Sequence, residues 1–318
     1  MRLDSAQTEA DTALLQLGRR LRADGYRFTC VTPATHALNN ARPGAERAHN
    51  LRDVFGWSRP FAPSLVCVDE LQQLRQAGVL NEEPGGLLRS NVRWSSLDDL
   101  LLVHSAYPTE AADAVFFGPD SYRFAQVIHD HLQRHPTRVQ HAVDIGCGSG
   151  IGALLIARAA QHAQVSAVDI NPRALRYTAI NAALAGVGNL SVEPSDLLDG
   201  LAGNFDLIVA NPPYMLDVGQ RTYRHGGGAL GAELSLRIVE QARERLSPGG
   251  SLLLYTGVAI VEGRDALLEA VRLRLAGPRW SWVYREIDPD VFGEQLGEPG
   301  YQQVERIAAV ALTVTRNG

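Results

Sequence analysis

Lysine is absent from this sequence: all thirty basic residues are arginine, set against thirty-five acids for a formal charge of −5. A chain with that balance has no overall positive excess to draw it to nucleic acid or to an anionic membrane surface. Each arginine still offers a planar fork for phosphate or carboxylate, so a local patch keeps its meaning. Cysteine is scarce. Cys30, Cys67 and Cys147 lie far apart with no CxxC pair, which excludes a disulfide framework or a cysteine-built zinc site and implies a reducing, cytoplasmic setting. Long apolar runs are missing as well. The opening MRLDSAQTEADTALLQLGRR carries acids among its apolar residues, so neither a signal peptide nor a membrane span is expected. No internal repeat or low-complexity tract appears. What is present is 45% hydrophobic and 20% charged residues over 318 positions, the composition of a packed globular chain with room for one large or two ordinary domains.

The two ends of the chain differ in pattern, and a boundary near residue 110 separates them. Leu14, Leu17 and Leu21 recur at helical spacing with Gly25 as a stop signal, predicting one amphipathic helix between Thr12 and Leu21. Pro33, Pro43 and Pro60 then interrupt a polar stretch, which predicts short helices. Val68 to Leu80 reads as a further helix, and GGLLRSNVRWSSLDDLLLVHS as two strands in a hairpin. Short helices followed by a two-stranded wing predict a small α+β, winged-helix-like accessory or substrate-recognition domain over residues 1–110. Many such modules grip nucleic acid, but others dock proteins. This one carries 12 arginines against 13 acids, a net of −1.

Residues 111–318 read as a second, α/β domain. HAVDIGCGSG supplies a strand and a glycine turn, QVSAVDIN, NLSVEPSD and FDLIVANPPY supply three more strands and SLLLYTG a fifth, several of them short apolar runs, and strand alternates with helix throughout, the pattern of a doubly wound, mostly parallel sheet covered on both faces. WSWVYREI and RIAAVALTVTR break that rhythm and predict an antiparallel pair at the edge, for seven strands in all.

The chemistry concentrates at the strand ends. Asp144-Ile145-Gly146-Cys147-Gly148-Ser149-Gly150 closes the first strand and opens a helix, the turn where open α/β sheets bind ligands. The acid before the glycines repels a pyrophosphate and suits an ammonium group. S-adenosylmethionine has that group and no phosphate, which makes Asp144, Gly146, Gly148 and Gly150 candidates for holding it. Asp169, 23 positions after Gly146, can accept from both ribose hydroxyls, with helix capping as the structural alternative. Ile170 and Asn171 follow it. Asp196 can accept from the adenine amine or cap the next helix, and Leu197, with Ile170, can pack on the base.

Asn211-Pro212-Pro213-Tyr214 is the sharpest signal. The Asn211 amide and a backbone carbonyl of the proline-stiffened turn can accept the two hydrogens of a flat amine, and Tyr214 can stack on its plane. These four are the candidate catalytic residues. His225-Gly226-Gly227-Gly228, just beyond, reads as a loop or lid beside the acceptor. His129, His131 and His135 share one helix with no second ligand cluster, so no metal is expected.

DIGCGSG, VDIN, SDLLD and NPPY in this order resemble the class I S-adenosylmethionine-dependent methyltransferases that carry an NPPY motif. Both the HemK-like protein-glutamine enzymes and the "small domain" ribosomal RNA enzymes are similar over residues 115–260. The resemblance implies a Rossmann-like sheet, with Asp144 and Gly146 at the methionine end of the cofactor, Asp169 at the ribose, Asp196 at the adenine, and Asn211 to Tyr214 at the acceptor. Phe116 to Ser121 stands where HemK-type enzymes have a Pro-Arg-Pro-Glu-Thr-Glu-like segment covering the cofactor, of which only the prolyl-acid-hydroxyl part is present. The expected function is N-methylation of a macromolecular acceptor without metal or membrane, a nucleic-acid base amine, RNA favoured, ahead of a protein glutamine. A non-catalytic, cofactor-binding scaffold is the reading from another class.

Overall fold

The computed structural model describes residues 9–135, 139–216, 226–227 and 230–318. The N-terminal region runs α1 (Glu9–Ala23), α2 (Pro33–Asn40), α3 (Leu51–Phe55), α4 (Val68–Gln76), β1 (Leu80–Glu83), β2 (Leu87–Ser90), β3 (Val92–Leu97) and β4 (Leu100–Ser105). The expected helices are present, α2 starting at Pro33 under a Thr32 cap and α3 under an Asn50 cap. The strands differ from expectation. Gly78 takes a φ of +65° and ends the helix whose spacing predicts a run to Leu80, which frees Leu80–Glu83 to pair with Leu87–Ser90 around Pro84-Gly85-Gly86. The segment expected to form one hairpin therefore supplies half of β1–β2 and all of β3–β4.

The N-terminal region packs directly against the α/β part of the chain. Leu14, Leu17 and Leu21 on one face of α1 share a buried cluster with Trp94 and with Tyr177, Ile180 and Leu184, each leucine contributing about 1.5–3 kcal/mol by leaving water. Gly18 is glycine because a Cβ there would stand 2.6 Å from the Trp94 ring. Asn181 pins the backbone of β4, accepting from the Val103 amide at 2.8 Å and donating to its carbonyl at 3.1 Å.

The rest of the chain continues α5 (Pro119–Arg134), β5 (His141–Ile145), α6 (Ile151–Ala159), β6 (Gln164–Asp169), α7 (Pro172–Ala185), β7 (Leu190–Pro194), β8 (Phe205–Ala210), α8 (Glu233–Arg245), β9 (Leu246–Val261), β10 (Arg264–Asp265), α9 (Ala266–Arg274), β11 (Trp280–Asp288) and β12 (Arg306–Arg316). The sheet order is β7-β6-β5-β8-β9-β12-β11, with the short β10 added on β9. The first five are parallel and β12 and β11 antiparallel, as the apolar runs and the two tail strands predict. Phe124, Ile128 and Leu154 of α5 and α6 bury against one face, and Ile238, Val239 and Val271 of α8 and α9 against the other. Sheet order reverses direction between β5 and β8, so the loops after their C-terminal ends open a crevice there. No helix among the described residues is long and apolar enough to cross a membrane.

Candidate active site

The glycine turn leaves β5 at the mouth of that crevice. Gly146 and Gly148 take φ values of +65° and +56°, and a Cβ on Gly146 would meet nothing within 4 Å. They keep both the strained turn and the space in front of it open. Gly150 differs: with φ at +83° it packs its Cα side against Thr178, 2.7 Å from where a Cβ would lie, and it does not line the cavity. Asp144 is buried beneath the turn and its Oδ2 accepts from the Ala153 amide at 2.9 Å, holding the first turn of α6. Gly152 makes room for this, since a Cβ would sit 2.7 Å from the same oxygen. Burial, with a smaller push from Asp169, raises the Asp144 carboxyl to about 7.

Asp169, at the end of β6, accepts from Asn171 N at 2.9 Å and Gly148 N at 3.0 Å, so it braces the glycine turn with one lone pair of each oxygen and leaves others toward the cavity. Burial pushes its carboxyl up. Asn171 also lines the cavity, but its side chain is occupied by capping α7 through Arg173 N and by donating to the Asp113 carbonyl. Ile170 is 61% exposed at the cavity edge, an apolar side chain without a partner of its own. Asp196 and Leu197 complete that side. Asp196 pairs with Arg237 at 3.3 Å, and a turn rather than a helix follows it, so there is no helix for it to cap. Leu197 is buried with φ at +51°, a region leucine rarely enters.

Two cavities meet at the end of β8. The first is walled by the glycine turn, Asp144, Asp169, Ile170, Asn171, Asp196 and Leu197. The second is walled by Tyr107, Pro108 and Glu110 from the N-terminal region, by Tyr214, and by Phe292 and Glu294 from the loop before β12. Phe116, Asn211, Pro212 and Pro213 line both. The Asn211 carboxamide has no protein hydrogen-bond partner among the described residues, although it stands at this junction. Tyr214 lines only the second cavity and is 8% exposed. His225 and Gly228 of the expected loop or lid lie outside the described residues. Gly226 is buried against the turn and donates to the Met215 carbonyl at 2.9 Å.

The segment 116–121, expected from the resemblance to cover the cofactor, also reaches Tyr214, a contact the sequence did not suggest, and Tyr107, Glu110, Tyr255, Gly257, Phe292 and Glu294 were not singled out. Asp120, at the start of α5, accepts from the hydroxyls of Tyr214 and Tyr255. Gly257 lets the Tyr214 ring lie against β9, since a Cβ there would come within 2.2 Å of it. A tyrosine inside the aliphatic run SLLLYTG was the available signal, because a buried phenol needs a partner. Phe116 owes its place to Gly118, where a Cβ would be 2.5 Å from its ring. No group of three or more potential metal ligands occurs among the described residues.

A β7-β6-β5-β8-β9-β12-β11 sheet with an acid-anchored glycine turn and an Asn-Pro-Pro-Tyr turn at adjacent strand ends defines a class I S-adenosylmethionine-dependent methyltransferase. The comparisons with known proteins agree. Residues 120–259 match the "Methyltransferase small domain" family. The chain is 31% identical over 229 residues to the ribosomal protein uL3 glutamine methyltransferase of Bradyrhizobium diazoefficiens, covering 66% of this chain and 68% of that protein. It is 37% identical over 197 residues to the release factor glutamine methyltransferase of Deinococcus radiodurans, covering 59% of this chain and 66% of that one. With the uL3 glutamine methyltransferase of Bordetella pertussis it shares 38% identity over 136 residues, 39% of this chain and 46% of the relative, so matches span from about half to two thirds of these relatives' lengths. Among solved structures, a methyltransferase from Pyrococcus furiosus matches with 20% identity and a TM-score of 0.43 over 61% of this chain and 83% of that one. The chain belongs to the HemK-like family of class I methyltransferases, whose cofactor is S-adenosylmethionine. The first cavity fits that cofactor: an open glycine cradle, a buried acid at one end, a carboxylate with spare lone pairs in the middle and an exposed isoleucine at the other.

Proposed function

We propose that this protein methylates the side-chain amide nitrogen of a glutamine in a protein substrate. The observation that carries the reading is the unpartnered Asn211 carboxamide on the wall shared by the two cavities, because only a group with access to both can orient an acceptor toward a cofactor. Asp144 and the cradle of Gly146 and Gly148 receive the methionine end, with Gly150 shaping the turn from behind. Asp169 takes the ribose, and Asp196, Ile170 and Leu197 the adenine, while Asn171 orders the loop beneath. When bound, S-adenosylmethionine supplies a methyl group on a positively charged sulfur, already activated for displacement. Asn211 Oδ1 and a carbonyl of the Pro212-Pro213 turn accept the two N–H groups of the acceptor amide, and Tyr214 forms a flat wall beside it. Amide nitrogen is a poor nucleophile because its lone pair is delocalised. Holding both hydrogens out of the carbonyl plane localises that pair toward the methyl group, and the gain comes from orientation.

Charge supports a protein rather than a nucleic-acid acceptor. Among the described residues, the charged ones that line the second cavity are Glu110, Asp120 and Glu294, all acidic and unsuited to a phosphate backbone. The N-terminal region that contributes Tyr107 and Glu110 has a net charge of −1, from 12 arginines and 13 acids. The relatives from Deinococcus and Bradyrhizobium act on glutamine in release factors and in uL3. The expectation of an RNA base as first choice therefore yields to its alternative.

The test is to label a lysate of the source cells with methyl-labelled cofactor and the purified protein. Label that is lost with protease, and that maps by mass spectrometry to a singly methylated glutamine, is the expected result. Label lost with ribonuclease would return the RNA reading, and cofactor binding without any label would leave a scaffold.

A further inference from the structure

We infer that Asp120 is a positioning residue that fixes the direction of the Tyr214 ring axis, and with it the tilt of the ring against the acceptor, acting through a buried hydroxyl–carboxylate bond; the inference rests on the proposed glutamine methylation. Asp120 is 3% exposed and sits in the first turn of α5, where the helix N-terminus favours a negative charge. Its Oδ2 accepts from the Tyr214 hydroxyl at 2.5 Å. Its Oδ1 accepts from the Tyr255 hydroxyl at 2.8 Å and from Arg123 Nη1 at 3.1 Å, and Arg123 continues through Nη2 to Asp288 at 2.7 Å. A buried carboxylate with three donors is fully compensated, and it ties together α5, the turn after β8, the middle of β9 and the end of β11.

The geometry leaves the Tyr214 ring little freedom. One edge lies against the bare Cα of Gly257, and Phe292 meets it edge-on with centroids 6.1 Å apart. Rotation of the ring about its Cβ–Cγ axis leaves the hydroxyl oxygen in place and would drive a ring edge into β9, whereas a swing of that axis about the Cα–Cβ bond would break the bond to Asp120. Without the carboxylate, the phenol would lose its acceptor, and a buried hydroxyl with no partner turns toward whatever acceptor it can find. Next to Asn211, that turn would tilt the wall against which the flat amide must lie. Asp120 need not touch the acceptor to have this effect.

Asp120→Ala, Tyr214→Phe and their double variant test the inference in the full-length protein, with release factor and ribosomal protein uL3 from the source organism as acceptors. Tyr214→Phe deletes the hydroxyl and keeps the ring. Each single change is expected to lower kcat about tenfold to a hundredfold, the range for a reacting group misplaced by an ångström. Cofactor Kd is expected to stay within about twofold, since neither residue belongs to the first cavity. In the Tyr214→Phe background, Asp120→Ala should cost less than about twofold more, because the bond it acts through is already gone. A kcat unchanged in Tyr214→Phe, or an Asp120→Ala loss that persists undiminished in that background, overturns the inference. A readout independent of turnover is the carbon-13 spectrum of ring-labelled tyrosine: Tyr214, assigned by its loss in Tyr214→Phe, should give one ordered signal in wild type and an averaged or split one in Asp120→Ala. Should Asp120→Ala fail to fold, Asp120→Leu in the same measurement fills the space and removes the acceptor, and a Tyr214 signal identical to wild type would defeat the inference. If neither acceptor is methylated by the wild-type protein, the proposed glutamine methylation fails, while the spectrum still decides the role of Asp120.

Discussion

Replacing Gly257 by alanine should disable transfer while leaving cofactor binding alone. A Cβ built on Gly257 lies 2.2 Å from Tyr214 Cε2, 2.3 Å from Cδ2 and 3.0 Å from Cζ, whereas ordinary contact begins at 3.4 Å. The ring must retreat by a little over an ångström, or β9 must bend. Retreat is opposed at the hydroxyl, which is held by Asp120, and bending is opposed by β12, whose Ala309 pairs with Gly257. Overpacking of this kind costs about 1–3 kcal/mol of stability. An ångström of displacement in a reacting arrangement can cost about a hundredfold in rate. Gly257 is not among the residues walling the first cavity, so the cofactor has no reason to respond. Calorimetric titration with S-adenosylmethionine, a thermal melt and steady-state methylation, run on the same preparation, separate the three effects. The expected set is a lowered Tm, an unchanged Kd and a kcat down by about two orders of magnitude. Wild-type turnover in Gly257→Ala would refute the reasoning, as would a loss of cofactor affinity comparable to the loss of rate.

Asn211→Ala should leave cofactor affinity within severalfold and reduce turnover by about a hundredfold or more, measured by titration and by label transfer, as when an orienting group is removed at the reacting centre. Asp169→Ala should do the reverse, weakening cofactor binding by about tenfold or more in the same titration, since a charged acceptor of two hydrogen bonds is lost. Asp144 gives a pH signature. Its carboxyl is raised to about 7 from an ordinary 3.8, so its contribution to the stability of the unliganded protein is complete below about 4 and is lost as pH rises through 7. A cation bound beside it has the opposite preference. Cofactor affinity should therefore strengthen by about tenfold per pH unit between about pH 5.5 and 7, a slope that Asp144→Asn flattens in calorimetric titration. Glu110→Gln with Glu294→Gln should raise KM by about twofold to fivefold for acceptors with arginine or lysine beside the glutamine, the effect of exposed charges, and leave kcat unchanged.

Much of this protein was written locally. The parallel strands are short apolar runs ending in Asp144, Asp169 and Asn211, and periodicity alone places those residues at strand ends, on one edge of one sheet. The glycines of the first turn are required by positive φ, a property that a sequence pattern carries. For the same reason most of the residues that line the first cavity were legible in the sequence. Two details there needed coordinates. Gly150 serves packing against Thr178, 28 positions away, and the Asn171 side chain is taken up by capping and by Asp113.

The second cavity was decided by tertiary structure. Tyr107, Glu110, Asp120, Tyr214, Gly257, Phe292 and Glu294 come from distant parts of the chain, and no local pattern links them. Their meeting depends on how α1 and β4 seat against α7, and on where the loop between β11 and β12 folds back, which are matters of side-chain fit across long separations. The β1–β2 hairpin belongs with them, since it forms only because Gly78 stops a helix that the apolar spacing would have carried further. Strand ends and turns obey short-range sterics, so the sequence by itself determined a sheet, a glycine turn and a proline-stiffened turn at adjacent strand ends. The second cavity, and the Asp120 carboxylate that accepts from its tyrosine wall, arise from long-range packing, and only the folded chain could assemble them.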